Sequence, residues 1–552
     1  MKKVFVLKAA GILLPLIAVL NISLLELHAQ TAASTWEIVS DKGTGHAVAQ
    51  AGDVNGDGYN DMVIGNPYYS SGQANEGRVM VFYGSSAGFA ATPDWVIESN
   101  QERAYFGWSV AGMNDINNDN YADVIIGAPG TDNIQGKVFI YYGSASGLNT
   151  TPAKTLVETQ TNEQFGYALA TADMNNDGYS ELFVGAPYYN AGDTESGRVY
   201  SYLGSSSGLP SSASWSVKGT GQKSGFGWSM AIGAVTSTGS NRKPNLIIGA
   251  PGTDTSVTAC VTIMDALPTE PNEPPAKKFT ITDSTTGSKF GYSIAIAGDI
   301  NHDGYEDIAI GAPHYTNGQL REGRVTLYHG GSTISNRIWT VEGNEAGANF
   351  GTCVAGKGRI NNDTLNDIAI TSPGLATGSL AVYIGTSSGI SPVRYVLSNL
   401  TESYTGISFF REIGAIHGGI IAGMPLVTSG TNSGKGEVKY IREFEWDLTR
   451  KGIAGSYSSD SKNSSTASIS VYPNPAVQKL TFDITAVTAN NISIEIINTL
   501  GVAVYSINNV QVATQAGLQS VTIDLPVLSQ GMYYAAVHID GQTILKPVQI
   551  NP

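Results

Sequence analysis

The chain has 552 residues and a formal net charge of -15, with 41% hydrophobic and only 14% charged residues. This composition allows a large folded core and argues against nucleic-acid binding, because such an interface needs a basic surface to neutralise phosphates. The 65 glycines indicate many short strands joined by turns.

Residues 1–29 have the three-part pattern of an export signal. Lys2, Lys3 and Lys8 come first, an apolar run follows, and the small residue Ala29 suits cleavage before Gln30. A membrane-anchor helix is the alternative, but the apolar run is short and lies directly behind the positive end. No other segment is long and apolar enough to span a bilayer. We therefore expect a cleaved signal peptide and no transmembrane segment in the mature chain.

An apolar phrase ending in Gly-Ala-Pro, or a variant of it, recurs seven times. Its prolines are Pro67, Pro129, Pro187, Pro251, Pro313, Pro373 and Pro425. A Phe-Gly strand such as YFGWSVAG precedes most copies, and two further short strands follow. Seven units of four short strands predict an all-β, seven-bladed β-propeller, because one four-stranded sheet cannot bury both faces alone. A solenoid is the rival architecture, but it needs distinct capping units and none is evident.

The two ends of the repeat region predict how the ring closes. The phrase TWEIVS at Thr35–Ser40 has the pattern of a fourth strand, yet it precedes the first unit. The third strand of the last unit ends near Ile441. We expect the N-terminal strand to complete the last blade, with FEWDL at Phe444–Leu448 as the competing segment.

Four loops between first and second strands follow the pattern D-x-[DN]-x-D-x-x-x-[DE]. Calcium takes about six to eight oxygen ligands, and oxygens at alternate positions of a tight turn converge on one point. Position 7 offers a backbone carbonyl, and glycine or asparagine at position 6 allows a positive φ. The predicted calcium ligands are Asp53, Asn55, Asp57, Tyr59 and Asp61; Asp115, Asn117, Asp119, Tyr121 and Asp123; Asp173, Asn175, Asp177, Tyr179 and Glu181; and Asp299, Asn301, Asp303, Tyr305 and Asp307.

An ordinary Asp/Asn/Gly turn is the alternative for any single loop. Four copies in register, each with at least three carboxylates that repel one another without a cation, favour about four structural Ca²⁺ ions. The other blades depart from the pattern: blade six has Arg359 in place of the first Asp, which puts a metal there in doubt. The blade-four loop (234–245) has no carboxylate and blade seven has lost the loop, so no metal is expected in either.

The Phe-Gly and Gly-Ala-Pro phrases that flank these acidic loops resemble the FG-GAP repeats of integrin-α-type propellers, over roughly residues 34–445. The resemblance implies a seven-bladed propeller with calcium bound in β-hairpin loops. It also implies that the opposite face, built from the loops between second and third strands, carries ligand.

After a serine-rich linker over residues 446–468, a second β pattern occupies residues 469–552. Its phrases Tyr472-Pro473-Asn474-Pro475, the Gly501 turn and Leu528…Gly531-Met532-Tyr533 resemble the C-terminal sorting domain of type IX secretion. An ordinary adhesive β-sandwich is the alternative. The resemblance implies that secretion machinery carries the protein across the outer membrane, to a secreted or cell-surface location.

The loops between second and third strands carry the candidate ligand-binding residues. These residues follow the repeat prolines and are Tyr68, Tyr69, Tyr188, Tyr189, His314 and Tyr315. Aromatic rings among polar neighbours suit an extracellular protein or glycan ligand, although the tyrosines could instead only cover blade edges. We expect a binding or adhesion module that is not an enzyme.

Two alternatives stay open: a polysaccharide lyase or hydrolase, and a purely structural surface component. The sequence has no H-E-x-x-H or G-x-S-x-G motif. His314 with Arg321 is the best catalytic pair that it offers.

Overall fold

A computed structural model describes most of the chain. The described residues are 26–29, 36–113, 115–190, 192, 195–239, 242–265, 275–334, 337–360, 365–374, 379–386, 389–397, 402–403, 406–410, 419–427, 435–441, 468–472, 479–486, 492–498, 503–507, 517–525, 531–539 and 542–550. The predicted linker and the competing segment FEWDL lie outside them, and no structure is assigned to either.

Seven antiparallel sheets form the blades, and the first six run from the axis outward in chain order. Strands β1 (Glu26–Ala29) and β2 (Trp36–Ser40) come first. Blade one is β3 (Ala47–Gly52), β4 (Asp61–Asn66), β5 (Arg78–Phe82) and β6 (Trp95–Glu98). Blade two is β7 (Ser109–Met113), β8 (Asp123–Ala128), β9 (Lys137–Tyr141) and β10 (Lys154–Leu156), with the helical turn α1 (Thr131–Ile134) between β8 and β9. Blade three is β11 (Ala168–Ala172), β12 (Glu181–Ala186), β13 (Arg198–Tyr202) and β14 (Trp215–Lys218).

The remaining blades repeat this order. Blade four is β15 (Met230–Gly233), β16 (Asn245–Ala250), β17 (Cys260–Met264) and β18 (Lys277–Thr282). Blade five is β19 (Ser293–Gly298), β20 (Asp307–Ala312), β21 (Arg324–Tyr328) and β22 (Arg337–Glu342). Blade six is β23 (Val354–Gly358), β24 (Asp367–Ser372), β25 (Ser379–Thr386) and β26 (Gly389–Leu397), with β1 parallel to β26 at its edge. Strands β27 (Glu402–Ser403) and β30 (Leu426–Val427) pair beside blade seven, which holds β28 (Gly406–Phe410), β29 (Gly419–Met424) and β31 (Gly436–Ile441).

Blade seven is completed by the N-terminal strand, which confirms the predicted closure. Strand β2 pairs antiparallel with β31, and Trp36 lies opposite Tyr440 while Ile38 lies opposite Val438. The innermost strands of neighbouring blades contact one another around the whole ring, including β28 with β3. The fold is therefore a closed, seven-bladed β-propeller, as predicted.

The Phe-Gly and Gly-Ala-Pro phrases meet at the seams between blades. The Gly107 N–H donates to the Gly127 carbonyl of its own blade at 3.0 Å. On its other side, the Gly107 carbonyl lies against Gly65 of the preceding blade, where a Cβ would stand 2.1 Å from that oxygen. Phe106 is buried in a cluster that joins blades one and two. The phrases recur because each seam needs this backbone contact and this buried ring.

A buried arginine at the start of the third strand of blade five also links two successive blades. Arg324 of blade five pairs with Asp283, which follows the outer strand of blade four, at 3.0 Å. The same guanidinium lies 3.8 Å from the ring centroid of Tyr315. Both charged side chains are less than a tenth exposed, so the pair is a buried salt bridge between two blades.

The C-terminal residues form two further sheets. One contains β32 (Ser468–Tyr472), β33 (Lys479–Ala486) and β36 (Gly517–Asp524), and the other contains β34 (Ile492–Asn498), β35 (Ala503–Ile507), β37 (Gly531–Ile539) and β38 (Gln542–Ile550). Side chains from both sheets share one buried cluster, which includes Phe482 and Val537. This arrangement is a small β-sandwich.

Candidate functional site

The four acidic loops lie on the face of the ring that also carries the loops between third and fourth strands. In blade one, the Gly84 N–H, which follows the third strand, donates to Asp61 Oδ1 at 2.8 Å. The loops between second and third strands emerge at the opposite ends of the same strands. The predicted calcium loops and the predicted ligand loops therefore occupy opposite faces.

Within each acidic loop, the first aspartate organises the backbone. Asp53 Oδ1 accepts from the Asp57 N–H at 3.0 Å, and its Oδ2 accepts from the Gly58 N–H at 2.8 Å. The Asn55 amide donates to Asp57 Oδ2 at 3.0 Å, and Asp57 Oδ1 accepts from the Tyr59 N–H at 2.9 Å. The same bonds recur in the loops that begin at Asp115, Asp173 and Asp299.

Each loop has two left-handed residues, of which only the one at position 6 was expected. The second is at position 4, where the φ values are 76°, 62°, 60° and 60° at Gly56, Asn118, Asn176 and His302. Asparagine tolerates this conformation well, and it stands at two of these positions. This regularity was visible in the sequence as the repeated Asn or Gly at position 4, but its role was missed.

The carboxylate at position 9 also holds backbone. Asp61 is fully buried, and its Oδ2 accepts from the Val54 N–H at 2.8 Å while its Oδ1 accepts from Gly84. The position-9 carboxylate of blade six, Asp367, accepts in the same way from the Ile360 and Gly385 N–H groups, at 2.6 and 2.9 Å. Position 9 therefore fixes the hairpin in an acidic loop and in one that has lost its first aspartate.

The acidic loops carry an excess of negative charge. The pKa of Asp61 is raised to about 7, chiefly by burial and also by the nearby carboxylates of Asp57 and Asp53, while two backbone hydrogen bonds act against the rise. Burial likewise raises the pKa of Asp123 and of Glu181 to about 7. A bound cation would relieve this repulsion.

The donor atoms of the loops fit calcium, although the side chains point mainly at the backbone. Across the described residues, no three His, Cys, Asp or Glu side chains form a group that could hold a metal ion. All donors in a loop are nevertheless oxygens, and a carboxylate oxygen that accepts one N–H keeps a second lone pair. The side-chain oxygen of Asn117 is buried and has no hydrogen-bond partner. An oxygen-only set with such an orphaned atom suits a hard cation.

The blades that depart from the acidic pattern hold their loops differently. In blade four, Asn245 takes position 9, and its Oδ1 accepts from the Thr236 N–H at 3.0 Å. Glu306 of blade five reaches this loop and accepts from the Ala234 N–H at 2.8 Å. In blade six, Arg359 is exposed, and positions 361–364 lie outside the described residues.

The opposite face carries a continuous arc of aromatic rings around the axis. Its members are His46, Trp108, Tyr167, Trp228 and Tyr292, each of which directly follows the glycine at the start of its blade. Successive ring centroids lie 4.6, 5.3, 4.9 and 5.4 Å apart. All five side chains are half-buried. This aromatic arc was missed in the sequence, although its members occupy one position of the repeat.

The five predicted ligand-face tyrosines divide into two sets, and His314 belongs to neither. Tyr68 and Tyr188 extend the aromatic arc, with centroids 6.3 Å from Trp108 and 6.1 Å from Trp228. By contrast, Tyr69, Tyr189 and Tyr315 lie beneath the guanidinium groups of Arg78, Arg198 and Arg324, at 4.0, 3.7 and 3.8 Å. The structure therefore places these three tyrosines in the blade seams, under arginine side chains.

His314 lies apart from the aromatic arc. It is half-buried, and burial together with the positive charges of Arg321 and Lys289 lowers the pKa of its imidazole. A neutral imidazole between two cations could accept a proton only weakly near neutral pH. The pair of His314 and Arg321 therefore brings together a weak base and a cation, and the structure adds no carboxylate partner to them in any described contact.

Comparisons with known proteins agree with this architecture. The FG-GAP repeat model matches residues 44–82, 106–141, 165–202 and 290–328, which are the four blades with acidic loops. The model of the secretion system C-terminal sorting domain matches residues 470–551. Within the described part of the chain, no helix has the length and hydrophobicity that crossing a bilayer requires.

Similar proteins include a phospholipase D and integrin alpha chains. The chain is 28% identical over 376 residues to the phosphatidylinositol-glycan-specific phospholipase D of Bos taurus. This alignment covers 61% of the chain and 44% of that protein. It is 36% identical over 151 residues to integrin alpha-IIb of Mus musculus, covering 26% of the chain and 14% of the integrin. Against integrin alpha-8 of Gallus gallus it is 32% identical over 230 residues, covering 39% and 21%. The chain thus spans less than half the length of each of these relatives.

Proposed function

We propose that this chain is a calcium-stabilised binding protein that is exported to the cell surface or the medium. The proposal is supported by the FG-GAP repeats of its seven-bladed propeller and by its C-terminal sorting domain. The protein binds an extracellular protein or glycan on the face that carries the aromatic arc. The sorting domain engages the secretion machinery, and a signal peptide over residues 1–29 provides the first export step. Its cleavage would remove β1 from the edge of blade six and leave the four strands β23 to β26 of that blade.

The aromatic arc is the observation that supports binding. Five half-buried rings at one position of five successive blades form a single surface around the mouth of the ring. Aromatic side chains supply contact area at low cost in conformational entropy, and they are enriched at recognition surfaces. Core packing alone does not require them there, because the blades are already held together at their seams.

Calcium in the acidic loops would act on the ring rather than on the ligand. The Asp53 carbonyl accepts from the Ala122 N–H of the next blade at 2.8 Å. Likewise, the Val54 carbonyl accepts from the Ser144 N–H of blade two at 3.1 Å. An ion that orders the loop from Asp53 to Asp61 would therefore also order the joint between blades one and two.

The full-length protein should be applied to a glycan array and to immobilised extracellular proteins. The double variant Trp108→Ala/Trp228→Ala removes two rings of the aromatic arc, and Tyr179→Ala is the control, since it removes a ring on the calcium face but keeps its backbone carbonyl. We expect the double variant to lose at least tenfold in affinity for any ligand found, and the control to bind like the wild type. Equal binding by the double variant would contradict the proposed site.

A hydrolase is the second candidate, because the aligned bovine relative is a phospholipase D. The same assay distinguishes the two functions if bound ligands are analysed for cleavage. If the amount of cleaved product grows with time, the protein is an enzyme and not only a binding module.

A further inference from the structure

A polar groove lies between blades two and three, on the same face as the aromatic arc. Its volume is about 620 Å³, and its lining includes Gln160, Asn162, Gln164, Tyr188, Asn190 and Glu195. Ligand sites in proteins commonly enclose about 300–1,000 Å³. The groove is therefore large enough for a small oligomeric ligand.

The lining of the groove combines amides with one aromatic ring and one carboxylate. Gln160 Nε2 donates to the Asn190 carbonyl at 2.5 Å, and Asn190 Oδ1 accepts from the Gly192 N–H at 3.1 Å. An amide side chain has both donors and an acceptor, and the groups that these two bonds leave, together with Asn162 and Gln164, match the paired hydroxyls of a sugar. The Tyr188 ring, which is half-buried against Trp228, supplies a flat apolar surface. Among the described residues that line the groove, none is a lysine or an arginine.

Of five seams with the same backbone, only this groove carries amide side chains at both left-handed positions. Three residues before the phenylalanine of each Phe-Gly phrase, and again one residue before it, the backbone is left-handed at five seams. At the first of these positions the φ values are 56°, 63°, 53°, 75° and 76°, for Arg103, Asn162, Lys223, Gly287 and Gly347. At the second position they are 51°, 56°, 62°, 60° and 50°, for Tyr105, Gln164, Gly225, Lys289 and Asn349.

The backbone is thus the same at five seams, while the side chains differ. The seams that follow blades one, three and four each carry a cation at one of the two positions, namely Arg103, Lys223 or Lys289. The seam after blade five carries Gly347 and Asn349, and the seam after blade two carries two neutral amides, Asn162 and Gln164. Its groove keeps one carboxylate, Glu195, whose Oε2 accepts from the Thr253 hydroxyl at 2.5 Å.

We propose that this groove between blades two and three binds a neutral oligosaccharide, with amide groups on its hydroxyls and Tyr188 against a sugar ring. Anionic glycans are disfavoured, because the groove offers a carboxylate and no cation and the chain is acidic overall. The proposal rests on the proposed function in placing a ligand on this face, and it names the class of that ligand.

The test is calorimetric titration of the full-length protein with cellotetraose, xylotetraose, mannotetraose and maltotetraose. Tetragalacturonate serves as the anionic counterpart, and an arginine-containing tripeptide serves as the rival class of ligand. The variant Asn162→Lys introduces the residue found at the seam after blade three, where Lys223 has nearly the same φ, so the loop should keep its fold. Lys223→Asn is the matched control.

At least one neutral tetrasaccharide should bind, with tetragalacturonate at least tenfold weaker. Asn162→Lys should weaken neutral binding at least tenfold, and Lys223→Asn should leave it unchanged. The inference is overturned if no neutral tetrasaccharide binds at millimolar concentration, if Asn162→Lys has no effect, or if only the tripeptide binds. Since Asn162→Lys leaves the aromatic arc intact, loss of this proposal is distinguishable from loss of the proposed function, which Trp108→Ala/Trp228→Ala tests separately.

Discussion

Replacing one seam glycine should show how tightly the blades are joined. In Gly127→Ala, the new Cβ would stand 2.1 Å from the Gly166 carbonyl oxygen of blade three and 2.2 Å from Ser109 Oγ. Non-bonded carbon and oxygen atoms ordinarily stay more than about 3 Å apart, so blades two and three must separate locally by roughly 1 Å. That movement would also stretch the 2.7 Å hydrogen bond from Ser109 Oγ to Gly166.

The expected loss follows from these two effects. Overpacking costs about 1–3 kcal/mol, and a lost hydrogen bond adds about 1 kcal/mol. We therefore expect Gly127→Ala to lower the free energy of unfolding by about 2–4 kcal/mol, against about 1 kcal/mol for the control Ser109→Ala, which removes only the hydrogen bond. Urea unfolding of the full-length protein, followed by tryptophan fluorescence, measures both. A loss in Gly127→Ala no larger than that in Ser109→Ala would refute the seam contact.

Three further predictions concern charge. Asp173→Asn should lower the melting temperature more in calcium than in chelator. The control is Asp94→Asn, which changes a carboxylate outside the acidic loops that accepts from the Tyr83 N–H at 2.7 Å. Its effect on the melting temperature should be the same in calcium and in chelator. Burial lowers the pKa of His46 from 6.5 to about 4, so the stability that its neutral form contributes is complete above pH 6.5, and about 3 kcal/mol of it should be lost by pH 4. Urea unfolding across this range should show that His46→Phe loses less stability in acid than the wild type. An equal loss of stability in both proteins would contradict the assignment. Arg324→Met leaves the buried Asp283 carboxylate without its cationic partner and should lower the free energy of unfolding by about 3–5 kcal/mol. The double variant Arg324→Met/Asp283→Asn should recover part of this stability in the same urea assay.

The blade order and the closure were predictable because their signals are local and repeated. A Phe-Gly phrase and a Gly-Ala-Pro phrase recur wherever a seam needs a buried ring beside two glycine backbones, as at Phe106, Gly107 and Gly65. Closure could be predicted because a fourth-strand pattern at Trp36 stood before the first unit, without a blade of its own.

The residues of the ligand face were harder to assign, because adjacent side chains on a loop point in different directions. Tyr68 and Tyr69 are neighbours in sequence, yet one ring joins the aromatic arc and the other lies under Arg78. Only the path of the backbone separates the two roles. The arc itself depends on contacts between residues about sixty positions apart, such as Trp108 and Tyr167; the sequence shows an aromatic residue at one position of the repeat but not that these rings meet.

The acidic loops lie between these cases. Their spacing predicted a tight turn around Asp53, and the structure has that turn. The spacing did not reveal that Asp61 would hold two backbone N–H groups, because the Gly84 donor comes from a distant loop. Calcium binding itself stays a prediction.

Calcium content is the most direct test of the account. Full-length protein should be dialysed against calcium, analysed for bound metal, and melted with calcium and then with excess chelator. We predict about four calcium ions per chain and a melting temperature that falls by many degrees on chelation, because an ion bound only by the native state at about 100 times its dissociation constant stabilises that state by about 2.7 kcal/mol per site. Absence of bound calcium together with an unchanged melting temperature would contradict the account and leave the acidic loops as turns.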